Sequence, residues 1–140
     1  MTVVIDTNVV LQMRKQGNRC WPIMQAWAAG RFFWAVSNEI MFEYQEIVEQ
    51  RTKADGWRKT TAVFDFVETI RPGSMRLITP TFRFHLIAAC EDDNKFADCA
   101  ITAAADWIIT EDRHFDGLIG SGHKPQPIAP EEFISRILKV

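Results

Sequence analysis

The strongest constraint on this chain comes at its start, where Val3-Val4-Ile5 runs directly into Asp6-Thr7-Asn8. A β-branched run without polar alternation predicts a strand buried on both faces, as in the parallel sheets of α/β domains. Burying an unpaired carboxylate is costly, so an aspartate at the end of such a strand needs a partner. Asp6 is therefore either a turn former or part of a site.

The rest of the chain keeps alternating strand and helix patterns. Pro22 and the spacing of Ile23, Met24, Ala26 and Trp27 predict a helix over 21–29 that stops at Gly30. A strand over 32–36 follows, then a helix over 38–51 capped by Ser37 or Asn38, with Ile40, Tyr44, Ile47 and Val48 inward. A further helix over 55–70 turns Val63, Phe64, Phe66, Val67 and Ile70 inward and ends at Pro72-Gly73. Strands are expected over 75–78, 107–110 and, at an edge, 126–128, with an alanine-rich helix over 94–105. Pro130-Glu131-Glu132 suits the start of a last helix.

With 140 residues, 47% of them hydrophobic, the chain has room for one core, and a single domain over 1–140 is expected. No stretch approaches the roughly 18 apolar residues of a membrane span, and the start lacks a basic segment with a cleavage site, so no membrane role and a cytoplasmic location are expected. Cys20, Cys90 and Cys99 form no CxxC pair and read as small hydrophobes rather than disulfide or zinc ligands. His85, His114 and His123 have no HxxxH or HExxH spacing, so no histidine is assigned a metal role. A net charge of -2 excludes nucleic-acid binding through bulk positive charge, leaving local or metal-assisted contact.

Parallel sheets bind ligands beyond the C-terminal ends of their strands. Asp6 and Asp112 end predicted strands, while Glu43 and Asp98 lie early in helices that start from that edge. Individually each has a plain explanation. Glu43 shares a helix side with Glu39 and Glu46, Asp98 groups with Lys95, Thr102 and Asp106 in the manner of a solvated face, and Asp112 suits a helix cap. Together, four converging carboxylates would repel one another unless a divalent cation neutralised them, and hard oxygen donors suit Mg2+ or Mn2+. Such a cation supports phosphodiester hydrolysis without a protein nucleophile, which points to a nuclease.

The segments "VVIDTNVV", "AVSNEIMFEY" and "CEDDNKFADCAITAAADWIITEDRHFDGL", with the weaker ending "PIAPEEF", resemble the PIN domain of VapC-type toxin ribonucleases. The resemblance implies a three-layer α/β/α fold around a mainly parallel sheet of four to five strands. Its acidic site falls on Asp6, Glu43, Asp98 and Asp112, which would be both catalytic and metal-binding, with Asn8 and Thr110 as supporting polar groups. It implies Mg2+-dependent (or Mn2+-dependent) cleavage of single-stranded RNA, an antitoxin partner and compatibility with a homodimer. The sequence departs from the family's usual pattern at Glu111, where glycine is common, and at His114-Phe115-Asp116-Gly117. Asp116 is then a supporting site acid or a turn cap, and Asp92 and Asp93 are expected to support their loop.

Arg51, Lys53, Arg58 and Lys59 cluster around the junction of the two central helices with Trp57 among them, either a solvated helix end or a stacking surface for a base, and Arg113 adjoins Asp112 as a candidate phosphate contact. A strand followed by Asp-x-Asp would instead suit a haloacid-dehalogenase-like phosphatase, but the second acid is Asn8, which cannot serve as general acid-base. A catalytically idle PIN fold that binds RNA or a protein is the other alternative, and retention of all four acids argues against it.

Overall fold

The computed structural model describes all 140 residues. Its five strands are β1 (Thr2–Ile5), β2 (Phe33–Val36), β3 (Met75–Leu77), β4 (Trp107–Ile109) and β5 (Gln126–Ile128). They lie in the order β3-β2-β1-β4-β5, and every pairing is parallel. Helices α1 (Thr7–Met13), α2 (Trp21–Ala28), α3 (Asn38–Arg51), α4 (Gly56–Ile70), α5 (Asn94–Thr102) and α6 (Pro130–Glu132) connect and flank them. No helix is long and apolar enough to cross a membrane.

β1 is buried along its whole length, as its unbroken Val-Val-Ile run requires. The chain leaves β1 for β2 and β3 on one side and returns to β4 and β5 on the other, so the strand order reverses between β1 and β4. Loops diverge at such a switch point, opening a crevice beyond the strands' C-terminal ends. Asp6 stands at its edge, with its backbone N–H donating to the Ile109 carbonyl at 2.9 Å.

Two segments differ from the sequence expectation. α1 starts immediately after Asp6 and lasts only seven residues, including β-branched Val9 and Val10, too short for its periodicity to show. In α4 only Phe64 and Val67 of the five expected inward residues are buried, whereas Val63, Phe66 and Ile70 are exposed. The hairpin α3–α4 reaches the sheet through one narrow stripe, where Phe64 meets Trp27 and Trp34 edge-on at 5.8 and 5.2 Å between ring centres. Trp57, partly buried, also packs edge-on against Phe64, at 6.3 Å, at the margin of this aromatic cluster.

Between β3 and α5 the backbone crosses the site edge without regular structure, and two α5 side chains anchor it. Asn94, buried, accepts from the Ile87 N–H at 2.9 Å and donates to its carbonyl at 3.1 Å. Asp98 accepts from the Phe84 N–H at 3.0 Å. These bonds replace the strand ladder that the segment lacks.

Candidate active site

Asp6 forms the floor of the crevice. It caps α1, its Oδ1 accepting from the Thr7 N–H at 2.8 Å, while Oδ2 accepts from the Thr110 hydroxyl at 2.7 Å. That hydroxyl also accepts from the Asp112 N–H at 2.9 Å, so the end of β4 holds Asp6 and Asp112 in one hydrogen-bonded unit. Burial pushes the Asp6 carboxyl up to about 6, against the pull of Thr110 and Thr7, and the charges of Asp93 and Glu43 add to the rise.

Glu43 reaches the crevice from the second turn of α3, whose start Ser37 caps through the Ile40 N–H at 3.3 Å. Next to it, the buried Tyr44 hydroxyl donates to the Ile5 carbonyl and fixes α3 against the end of β1. The Thr7 hydroxyl donates to Glu43 Oε2, and Lys95 Nζ lies 2.7 Å from Oε1.

Asp93 closes the opposite side, at the end of a 3₁₀ turn (Glu91–Asp93) that leads into α5. Burial raises its pKa, and the neighbouring Asp112 raises it further, opposed by hydrogen bonds from His114 and Cys90. His114 Nδ1 stands 3.3 Å from both Asp93 Oδ2 and Asp112 Oδ1. Asp112 also caps the following turn by accepting from the His114 N–H at 2.9 Å, so its capping and crevice positions coexist.

Of the four expected acids, Asp6, Glu43 and Asp112 gather around the crevice, and Asp93 joins them. Asp98 does not. Five residues beyond Asp93, it lies about 140° further around the helix, and its carboxylate holds the Phe84 backbone instead. Sequence reasoning placed Asp93 in a supporting loop, although a usable signal existed. Asp93 immediately precedes a helix that starts from the sheet's C-terminal edge, where an acid meets both the crevice and the helix dipole.

Among the supporting residues, Thr110 is buried and bridges two acids, as described, whereas Asn8 is exposed. Asp116 is exposed and lies 3.8 Å from the solvent-facing Arg113, directed to its own turn rather than the crevice. Arg51 and Lys53 are exposed around the far end of α3, with Arg51 about 12 Å along the helix axis from Glu43. Glu111 turns to Arg19, at 2.6 Å, and to Gln12. A cavity of about 390 Å³ adjoins the crevice, lined by Ser37, Asn38, Thr79, Arg83, Lys95 and Asp98 among others.

A buried carboxyl with a raised pKa, facing further carboxylates across a crevice, is an arrangement that gains stability by taking up a cation. The donors are all hard oxygens, which fit Mg2+ or Mn2+.

Comparison with known proteins agrees with this architecture. The chain is similar in structure to one in the crystal structure of VapBC2 from Rickettsia felis bound to a DNA fragment from their promoter, with a TM-score of 0.60 and 14% identity over 92% of this chain and 98% of that one. At that identity the likeness concerns the fold. No curated protein matches the chain. A family model described as PIN domain matches residues 2–114, a span that runs from β1 to His114 and contains every acid of the crevice, and the chain therefore belongs to the PIN-domain family.

Proposed function

We propose that the protein is a Mg2+- or Mn2+-dependent ribonuclease that hydrolyses phosphodiester bonds of single-stranded RNA, the toxin of a toxin–antitoxin pair acting in the cytoplasm. The observation that carries this reading is the convergence of Asp6, Glu43, Asp93 and Asp112 at the switch point between β1 and β4. PIN domains are in general nucleases that use divalent metals, which agrees with that arrangement.

Asp6, Asp93 and Asp112, with Glu43, would hold the cation. When bound, it supplies Lewis acidity toward the phosphodiester and lowers the pKa of an attacking water. The protein's own groups do the positioning. Thr110 fixes the Asp6 carboxylate through one oxygen and the Asp112 backbone through the other face of its hydroxyl. Thr7 and Lys95 orient Glu43. Asp98 is a positioning residue that anchors the segment lining the adjoining cavity. Arg83 and Lys95 in that cavity's wall offer positive charge to a phosphate backbone despite the chain's net negative charge.

The antitoxin would cover the exposed apolar side chains of the α3–α4 hairpin, Phe42, Val63, Phe66 and Ile70. The same patch suits a homodimer. That the structurally similar protein belongs to a VapBC pair favours the antitoxin.

The test is cleavage of single-stranded RNA by the full chain with MgCl2 or with EDTA. Asp6→Asn and Asp93→Asn should abolish the cation-dependent cleavage, and Asp98→Asn should retain it, because asparagine still accepts from Phe84. Retained cleavage in Asp93→Asn with loss in Asp98→Asn would reverse the assignment, and cleavage indifferent to EDTA would end the metal reading.

A further inference from the structure

Beside the acidic crevice lies a second group of donors with different chemistry. A Cys90 Sγ, an Asp93 carboxylate oxygen and a His114 ring nitrogen lie within 4.8 Å of one another. They come from the segment before α5 and from the turn after β4, so tertiary structure alone brings them together. Thiolate and imidazole are poor ligands for Mg2+ but favoured ones for zinc, whose open sites have three protein ligands and a fourth position taken by water.

We propose that Cys90, Asp93 and His114 form a binding site for Zn2+, separate in its soft donors from the acidic site but sharing Asp93 with it. Tetrahedral zinc, with bonds of about 2.0–2.3 Å, needs donors somewhat closer than they now stand. His114 is half-exposed, and its ring nitrogen already stands 3.3 Å from Asp93 Oδ2. Binding releases the Cys90 thiol proton to solvent. The other two cysteines are excluded as ligands, since Cys20 and Cys99 are both buried in the core.

Because Asp93 serves both sites, Zn2+ held by Cys90 and His114 withdraws a carboxylate from the crevice. Zinc therefore inhibits the Mg2+-dependent reaction. This consequence rests on the proposed nuclease activity, whereas the zinc site itself does not.

The experiment titrates the full chain with CoCl2, a spectroscopic stand-in for zinc, and then displaces it with ZnCl2. One equivalent of Co2+ should give a near-ultraviolet thiolate charge-transfer band that ZnCl2 removes. The band should be absent in Cys90→Ser and strongly weakened in His114→Ala. No band in the native chain, or a band that survives Cys90→Ser, overturns the site. In the RNA assay, ZnCl2 should block cleavage in the presence of excess MgCl2. Cys90→Ser should then require about tenfold more zinc or higher, at least the cost of losing an outer-sphere metal partner. Equal zinc sensitivity of native and Cys90→Ser protein overturns the inhibitory role. Absence of RNA cleavage under every condition would refute the nuclease reading while leaving the cobalt band to decide the site.

Discussion

The two oxygens of Asp6 have separate partners, the Thr7 N–H and the Thr110 hydroxyl, and neither partner carries a charge. Burial therefore dominates, and the carboxyl rises from 3.8 to about 6. A carboxyl whose folded-state pKa is raised favours the fold while protonated, so this contribution is lost as pH climbs from about 4 through 6. Above that range the ionised group costs the metal-free protein up to roughly 3 kcal/mol. Asp6→Asn should accordingly raise the melting temperature in EDTA at pH 7.5, with the gain shrinking toward zero near pH 4. A gain unchanged between those pH values would refute the assignment to Asp6 ionisation. Thr110→Val removes the hydroxyl that orients two acids, and the MgCl2 needed for half-maximal cleavage should rise about 10- to 100-fold. A Mg2+ titration of the cleavage rate measures this directly.

At the scale of elements, α4 and the segment before α5 show opposite economies of contact. α4 holds to the body through Phe64, wedged between Trp27, Trp34 and Trp57, while Phe66 two residues on faces solvent. Phe64→Ala should destabilise by about 3–5 kcal/mol, and Phe66→Ser should stay within about 0.5 kcal/mol in urea unfolding. Comparable losses from both would place α4 differently. The segment before α5 instead depends on single hydrogen bonds. Asp98→Ala leaves the Phe84 N–H without its acceptor and should cost about 1–3 kcal/mol. Hydrogen exchange should speed up around Phe84 and Ile87 in that variant while β1 keeps its protection.

For the whole molecule, the reversal of strand order between β1 and β4 explains why acids from distant parts of the chain meet. Asp6 directly follows β1, Thr110 and Asp112 follow β4, and α3 and α5 start from the same edge. A ligand that binds only the folded state stabilises it by mass action, about 2.7 kcal/mol at a hundredfold excess over Kd. MgCl2 should therefore raise the melting temperature of the native chain and of Asp98→Asn, and should leave Asp93→Asn little changed. Differential scanning fluorimetry with and without EDTA distinguishes these outcomes.

By itself, the sequence determined the strand and helix alternation and the parallel sheet, because burial on both faces and helical periodicity are local patterns that Val3-Val4-Ile5 and Trp107-Ile108-Ile109 display openly. It also singled out Asp6, since a charge at the end of a buried strand needs an explanation wherever the chain goes. Tertiary structure set Asp93, just before α5, toward Asp6 and Asp112 and turned Asp98, in the middle of that helix, to the Phe84 backbone, because packing decides which side of α5 meets β1. Packing likewise left Val63, Phe66 and Ile70 outside a core they were expected to fill, because α4 touches the body along a single stripe. Cys90 and His114, 24 positions apart and each unremarkable in its own segment, became neighbours only when α5 and β4 folded onto the same edge of the sheet.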